Sequence, residues 1–332
     1  MSALVRRRAI SAPSHSAVPP LLLAGFLVLA GPAEAQSGWT VVGEMPLERG
    51  QTIAVAEGGR VYVLTGSAPG EDATGLLQSY DPTTGGWEEL ATMPDVASHA
   101  GAAVLDGRIY VVGGFVANVH AGAMARVFRY DVASDTWEAR TPLSVPRGSP
   151  AVVALDGRIH AVSGRNAEGL VGAHEVYDPT TDRWSEAAPL PVPRDHKGIG
   201  VAEGRIHVFG GRTGGSSENT GRHDVYDPAT DTWSAAPPVP TPRSGGAAFE
   251  LAGRLVFAGG ECRPSGPSPT YAEVEAWDPR AESWVTLTTL PEGRHAFAAA
   301  TVGGTAYVMG GRTGCGGSGA TLEILALEGG LR

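Results

Sequence analysis

The stretch Ala100–Gly114, AGAAVLDGRIYVVGG, followed after an interval by Val127–Trp137, VFRYDVASDTW, decides how this chain of 332 residues is read. A run of small apolar residues meets Asp106-Gly107, a pair that tolerates positive φ at both positions and therefore marks a two-residue hairpin. Arg108–Val112 (RIYVV) follows, rich in β-branched and aromatic residues, and Gly113-Gly114 ends it. Val127–Asp131 reads as a third strand. A turn begins at Asp131, and Trp137 opens a fourth strand. Four short antiparallel strands make a small sheet, with one such sheet per repeat.

The same grammar recurs along the chain. Trp39, Trp87, Trp137, Trp184, Trp233 and Trp284 stand 48, 50, 47, 49 and 51 residues apart. Twenty-seven residues beyond each lies a glycine: Gly66, Gly114, Gly164, Gly211, Gly260 and Gly311. Six residues before each of the last five stands Asp81, Asp131, Asp178, Asp227 or Asp278. A strand-built period of about 50 residues means an array of small sheets around an axis. The hairpin between first and second strands reads Glu57-Gly58-Gly59, Asp156-Gly157, Glu203-Gly204, Ala252-Gly253 and Gly303-Gly304 in the sister repeats. The turn between third and fourth strands reads Asp81-Pro82, Asp178-Pro179, Asp227-Pro228 and Asp278-Pro279. There the Asp side chain bonds the turn backbone and Pro presets φ.

A paired glycine closing the second strand, a Tyr-Asp before a turn and a Trp six residues later resemble kelch repeats. The tyrosines are Tyr80, Tyr130, Tyr177 and Tyr226, with Trp277 in the fifth repeat. The resemblance covers residues 39–327. It implies an all-β, six-bladed β-propeller of four-stranded antiparallel blades. Departures are small: Thr65 and Ser163 replace the first glycine in repeats one and three, and Leu325-Ala326 are read as the sixth repeat's Tyr-Asp. The chain begins with a spare fourth strand at Trp39 and ends one strand short. The N-terminal strand is therefore expected to pair with the C-terminal blade and leave no open sheet edge.

Residues 1–35 read as a secretory signal peptide, and residues 36–332 as a single propeller domain. Arg6, Arg7 and Arg8 precede an apolar run, Leu21–Ala30, and the small-x-small site Ala33-Glu34-Ala35. The run falls short of the roughly 20 residues that span a bilayer. An exported protein, periplasmic or secreted, with no membrane insertion after cleavage is expected. Removing that segment leaves 22 − 34 = −12 formal charges, which argues against nucleic acid, whose phosphates call for clustered Lys and Arg. Lys197 is the only lysine. Cys262 and Cys315 follow the glycines of adjacent repeats, in equivalent loops. Export makes a disulfide between them the expected state, and a metal site from two cysteines is not expected.

Antiparallel strands send the second-to-third loops and the fourth-to-first connections to one face, and the variation in loop length falls there. Variable loops on a rigid scaffold carry function. That face holds Arg49, Arg147, Arg194, Arg243 and Arg294 in the fourth-to-first connections. The second repeat has Ala97 in their place, with His99 two residues on. Arg165, Arg212 and Arg312 follow the glycine in three repeats, and Glu261 holds that place in the fifth. An arginine-rich mouth suits a carboxylate-bearing ligand, because the guanidinium fork binds both oxygens. Each arginine also has a scaffold reading, capping backbone carbonyls of a blade. His196 and His295 lie beside the mouth, while His160 and His207 take places held by Tyr62 and Tyr110 and read as packing residues.

The leading expectation is a non-enzymatic, monomeric scaffold, without cofactor or metal, that recognises a protein segment or glycan. Exported six-bladed kelch propellers also include sialic acid mutarotases, which use arginine and a carboxylate in the mouth. In that second reading Glu261, Asp195 and Arg194 are the candidate catalytic set, with Glu218 as a further carboxylate.

Overall fold

The computed structural model describes residues 38–117, 121–215, 218–265, 269–316 and 319–330. The signal-peptide reading of residues 1–35 lies outside them, as do the tips of four second-to-third loops. The described strands form six four-stranded sheets. In five of them the strands pair in sequence order. The second blade, for instance, comprises Gly101–Leu105, Arg108–Val112, Val127–Asp131 and Thr136–Arg140, all antiparallel. The hairpin expected at Asp106-Gly107 is present, with φ of 51° and 70°. Both central residues are left-handed, the twist that matches paired strands.

The sixth sheet is assembled from both ends of the described chain. Thr40–Glu44 pairs with Glu323–Glu328, outside Thr305–Met309 and Ala298–Val302. Thr40 faces Ala326 and Glu44 faces Glu323, with a bulge between Val41 and Gly43. The propeller is thus closed by its N-terminal strand, as the strand count requires.

One register differs from expectation. Ala306 faces Leu327, just as Ile109 faces Tyr130. The sixth blade's Tyr-Asp position is therefore held by Leu327-Glu328, not Leu325-Ala326. The third blade also departs from a plain loop. Its middle strands, Arg158–Asn166 and Gly169–Asp178, run on until Asn166 faces Gly169, so that its second-to-third connection is a tight hairpin.

The core lies between neighbouring blades rather than within any one. Val61, Val63 and Tyr80 of the first blade pack with Ala298, Met309 and Ile324 of the sixth. Val162 of the third packs with Ile206, Val208 and Tyr226 of the fourth. Burying each such side chain contributes about 1.5–3 kcal/mol.

The repeated Tyr, Asp and Trp tie each blade to the one before. Trp137 Nε1 donates to Ala91 O at 2.6 Å, Trp184 to Thr141 O at 2.8 Å and Trp233 to Ala188 O at 2.7 Å. The N–H of those same residues donates to Asp135, Asp182 and Asp231. Each of these aspartates also accepts from a tyrosine five residues earlier, Tyr130, Tyr177 or Tyr226, at 2.5–2.8 Å. In blades one to three, one edge residue (Ala91, Thr141 or Ala188) thus has both backbone polar groups taken up by the next blade.

Candidate functional site: the axial mouth and collar

The five arginines of the fourth-to-first connections turn into the blades. Arg49 is 2% exposed, and Arg147, Arg194, Arg243 and Arg294 are 0% exposed. Arg194 donates to Gly210 O (2.8 Å), Val208 O (2.9 Å) and Val192 O (3.0 Å), and pairs with Asp224 at 2.8 Å. Arg243 repeats this with Gly259 O, Phe257 O, Thr241 O and Glu275. Arg147 pairs with Glu175 at 2.9 Å, and Arg294 with Glu323 at 2.9 Å. Arg49 meets Gln78 Oε1 at 3.0 Å instead of a carboxylate, and burial pushes it down to about 10. The acceptor stands two residues before the Tyr or Trp of the third strand in four blades: Gln78, Glu175, Asp224 and Glu275. The second blade lacks both partners, with Ala97 and Phe128 there. These guanidinium groups donate to backbone carbonyls of the blade and its connection and pair with buried acceptors, where a lost partner is costly. They do not line the mouth, so the expected ring of ligand-binding arginines is reduced to those after the glycines.

Those after the glycines are at the mouth. Each blade has one residue directly after the connection's Arg position that faces, across a short antiparallel bridge or equivalent backbone bond, the residue after the glycine. The pairs are Gly50 with Ser67, Ser98 with Phe115, Gly148 with Arg165, Asp195 with Arg212, Ser244 with Glu261 and His295 with Arg312. Blades one and two are bland; blades three to six carry charge. Gly148 is small for a reason: a Cβ there would come within 2.0 Å of the Phe115 ring that covers it.

The charged pairs interlock across blades. Arg165 Nε lies 3.2 Å from Asp195 Oδ2. Arg212 Nε donates to Asp195 Oδ1 at 2.7 Å, and its NH1 donates to Glu261 Oε1 at 2.5 Å. His196 Nδ1 is 3.2 Å from Asp195, and its Nε2 is 3.3 Å from Arg212 NH2. His295 Nδ1 lies 3.8 Å from Glu261 Oε2. Burial alone would raise the Asp195 carboxyl, but His196 and Arg212 outweigh it and hold it well below the usual carboxylate range. Burial opposes Glu261 in the same way, and His196, Arg212 and His295 pull it down. Burial pushes His295 down against the pull of Glu261. Both acids are ionised at neutral pH, and the belt of Arg165, Asp195, Arg212 and Glu261 is neutral as a unit. Glu218 is not part of it: its side chain bonds Gly215 N in its own exposed loop.

Two loops bracing this belt are covalently joined. Cys262 and Cys315 form a disulfide, with Cα atoms 4.8 Å apart. Glu261 precedes one cysteine, and Gly314, whose carbonyl lies 3.0 Å from His295 Nε2, precedes the other.

Beneath the mouth is a collar that the sequence reading passed over. Gln51, His99, Ser149, His196, Gly245 and Ala296, each two residues past the Arg position, all have left-handed φ of 50–71°. Their backbones join head to tail around the axis. His99 N donates to Gln51 O, Ser149 N to His99 O, Gly245 N to His196 O, Ala296 N to Gly245 O and Gln51 N to Ala296 O, at 2.8–3.2 Å. At the remaining link Ser149 O receives Lys197 Nζ at 3.0 Å. The collar borders an axial cavity of about 230 Å³. His196 belongs to both cavity and belt, and His99 packs edge-on against it with ring centroids 5.2 Å apart. The signal for the collar was present, a fixed offset from the arginines, but its residue types vary too much to stand out. Among the described residues, no group of three or more His, Cys, Asp or Glu side chains is placed to hold a metal ion.

Comparison with known proteins agrees with this architecture. The Kelch motif model matches residues 97–144 and 193–240. The chain is 30% identical over 164 residues to "Kelch-like protein terF" of Aspergillus terreus, covering 43% of this chain and 36% of that protein. It is 31% identical over 132 residues to "Kelch-like protein 35" of Mus musculus, covering 40% of this chain and 21% of that one. The match thus spans well under half the length of these relatives. Among solved structures, "Structure of YjhT" superposes with a TM-score of 0.71 at 18% identity, covering 87% of this chain and 97% of that one. With the motif matched in two repeats, and its glycine, tyrosine and tryptophan in register through most of the others, the chain is a kelch-repeat β-propeller.

Proposed function

We propose that the protein is an exported binding scaffold that recognises a protein segment or a glycan at the axial mouth. The observation that carries this is the belt Arg165–Asp195–Arg212–Glu261, on the face of the second-to-third loops in blades three to five. Its charges are already paired, so it suits a ligand of many hydroxyl or amide groups that shares hydrogen bonds with the belt. Charge-assisted hydrogen bonds are about twice as strong as neutral ones. Export rests on the N-terminal sequence pattern, and among the described residues no helix is long and apolar enough to cross a membrane. N-terminal sequencing of the protein from its native compartment should begin at Gln36.

Arg165 is the belt member with most exposure, 27% of its side chain. Screening immobilised glycans and peptides for binding, then repeating the screen with Arg165→Ala, tests the reading. The variant should bind at least ten-fold more weakly, about 1.4 kcal/mol, with an unchanged melting temperature. Undiminished binding by this variant would move the ligand site away from the belt.

A second reading, sugar-acid mutarotation, is favoured by one specific arrangement: two ionised carboxylates and two histidines around Arg212. Proton transfer by positioned groups of this kind is general acid–base chemistry. Following the anomers of a sialic acid by NMR with and without the protein separates an enzyme from a scaffold. In this reading Asp195 and Glu261 carry the chemistry, while Arg194 positions the strand from within the blade.

A further inference from the structure

The collar contains one group that neither the scaffold nor the belt explains: the amine of Lys197, the chain's only lysine. The Lys197 amine donates to a collar carbonyl, Ser149 O, at 3.0 Å, while the other collar carbonyls accept backbone N–H groups from the next blade. Lys197 is half-buried and lines the axial cavity. The same cavity is lined by Gly246 and Pro150 of the neighbouring blades, by Thr52 and Phe297, and by the collar histidines His99 and His196. Asp195 is engaged by Arg165, Arg212 and His196. Arg194 and Arg147 add positive charge nearby, and only Asp195 opposes them. Burial, reinforced by those two arginines, pushes Lys197 down to about 7. A primary amine held partly neutral at a cavity wall is a nucleophile.

We propose that Lys197 is a carbonyl-reactive amine, which captures an aldehyde or ketone group reaching the collar as an imine on Nζ. The ligand class is a small carbonyl compound, including the open-chain form of a reducing sugar. In the step, Nζ forms a bond to the carbonyl carbon. The carbonyl oxygen takes up the two amine hydrogens and leaves as water, and carbon and nitrogen are left doubly bonded. No oxidant or further reactant is required. His99 and His196 line the same cavity. The proposal concerns the same opening as the mouth reading but does not need its ligand.

Because the only other primary amine is the N-terminus, the test is clean. The intact protein is incubated with glycolaldehyde and sodium cyanoborohydride, and the reduced adduct is located by peptide mass spectrometry. Lys197 should be modified at least ten-fold faster at pH 7 than Nα-acetyllysine under the same conditions, with a rate that levels off above pH 7–8. Lys197→Met should lose that adduct and keep only the N-terminal one. An unmodified Lys197, modification confined to the N-terminus, or a rate matching Nα-acetyllysine would overturn the proposal. Glycan or peptide binding at the mouth with an inert Lys197 would leave the scaffold reading standing and remove only this one.

Discussion

Five arginines show how one residue type at one offset can be read in two directions. Their spacing marks them as equivalent, yet spacing does not say whether a side chain points to solvent or into the sheet. The deciding signal was elsewhere in the repeat: Glu175, Asp224 and Glu275, each two residues before a buried aromatic, supply the partner. Where the arginine is missing, at Ala97, the partner is missing too, at Phe128. Arg194→Ala removes the donor to three carbonyls and leaves Asp224 with the half-exposed Arg222 as its partner, so stability should fall by about 1–3 kcal/mol, the cost of buried acceptors losing a donor. Arg194→Lys should recover little, because an ammonium cannot reach the same set of acceptors as a guanidinium fork. Urea unfolding of both variants measures this, and a loss under 1 kcal/mol would show that the pair contributes little. The histidines form two further buried devices. His160 Nδ1 meets His174 Nε2 at 2.9 Å, and His174 Nδ1 meets Ala188 O; His207, His223 and Pro237 O repeat the relay. Each relay needs neutral rings, since the carbonyl fixes which nitrogen donates. Burial pushes His160 and His207 down to about 4, and His174 and His223 down to about 3. Below pH 6.5 the unfolded chain binds protons that the folded chain refuses. Stability is therefore complete above pH 6.5 and falls as pH drops toward 4, on the order of 1 kcal/mol per histidine per pH unit. Sister blades hold Leu77, Val127, Val274 and Ile324 at the inner histidine's place. The pair His174→Leu and His223→Val should flatten the slope of unfolding free energy between pH 7.5 and 5, and an unchanged slope would place the acid sensitivity elsewhere.

At the scale of strands and loops, local pattern was most reliable where one residue type has one use. Gly and Asp at the hairpins and Asp-Pro at the outer turns stand where the sequence places them, as do the two inner strands of the second blade, while its outer strands begin one residue away, at Gly101 and Thr136. The Asp–Tyr–Trp clamp was only half legible. Tyr and Trp were visible, whereas Asp135, Asp182 and Asp231 look like ordinary turn residues until their distance from the previous blade is known. Loops were the least legible, because their length says where function can sit and not what their side chains meet. The disulfide was legible through the repeat itself: equivalent loops of neighbouring blades bring two cysteines together. Closing a loop of 53 residues stabilises by up to about 4 kcal/mol on the chain-entropy model. Cys262→Ser with Cys315→Ser should lower the melting temperature by several degrees. It should also weaken ligand binding beyond that loss, because Glu261 and Gly314 are the cysteines' immediate neighbours. Thiol titration of the denatured, unreduced wild type should find no free thiol; two would show that the bond is absent from the protein as made.

At the scale of the whole ring, the count of strands was enough to predict closure, since a lone missing strand has only one spare strand to fill it. The misread register, at Leu327-Glu328, came from a blade without its Tyr-Asp marker, where only pairing reveals the register. Removing residues 36–46 should leave Glu323–Glu328 as a bare edge and uncover Ile324, Leu325 and Leu327. Aggregation or a broad, non-cooperative melt is expected by light scattering and calorimetry. A variant that melts as sharply as wild type would show that the sixth blade stands without its fourth strand.

The closing strand also sets an order of events. Thr40 leaves the ribosome long before Ala326, its partner in the finished sheet. No nascent chain can complete the ring while synthesis is under way, however well its early blades have stacked. Contacts of such sequence separation slow folding. The unpaired first strand must be kept from other partners for that whole interval. A message cut short anywhere before the last strands yields a chain with nothing for its first strand to meet. The circle thereby acts as a proofreading step on its own length: only a chain translated to the end can hide its beginning.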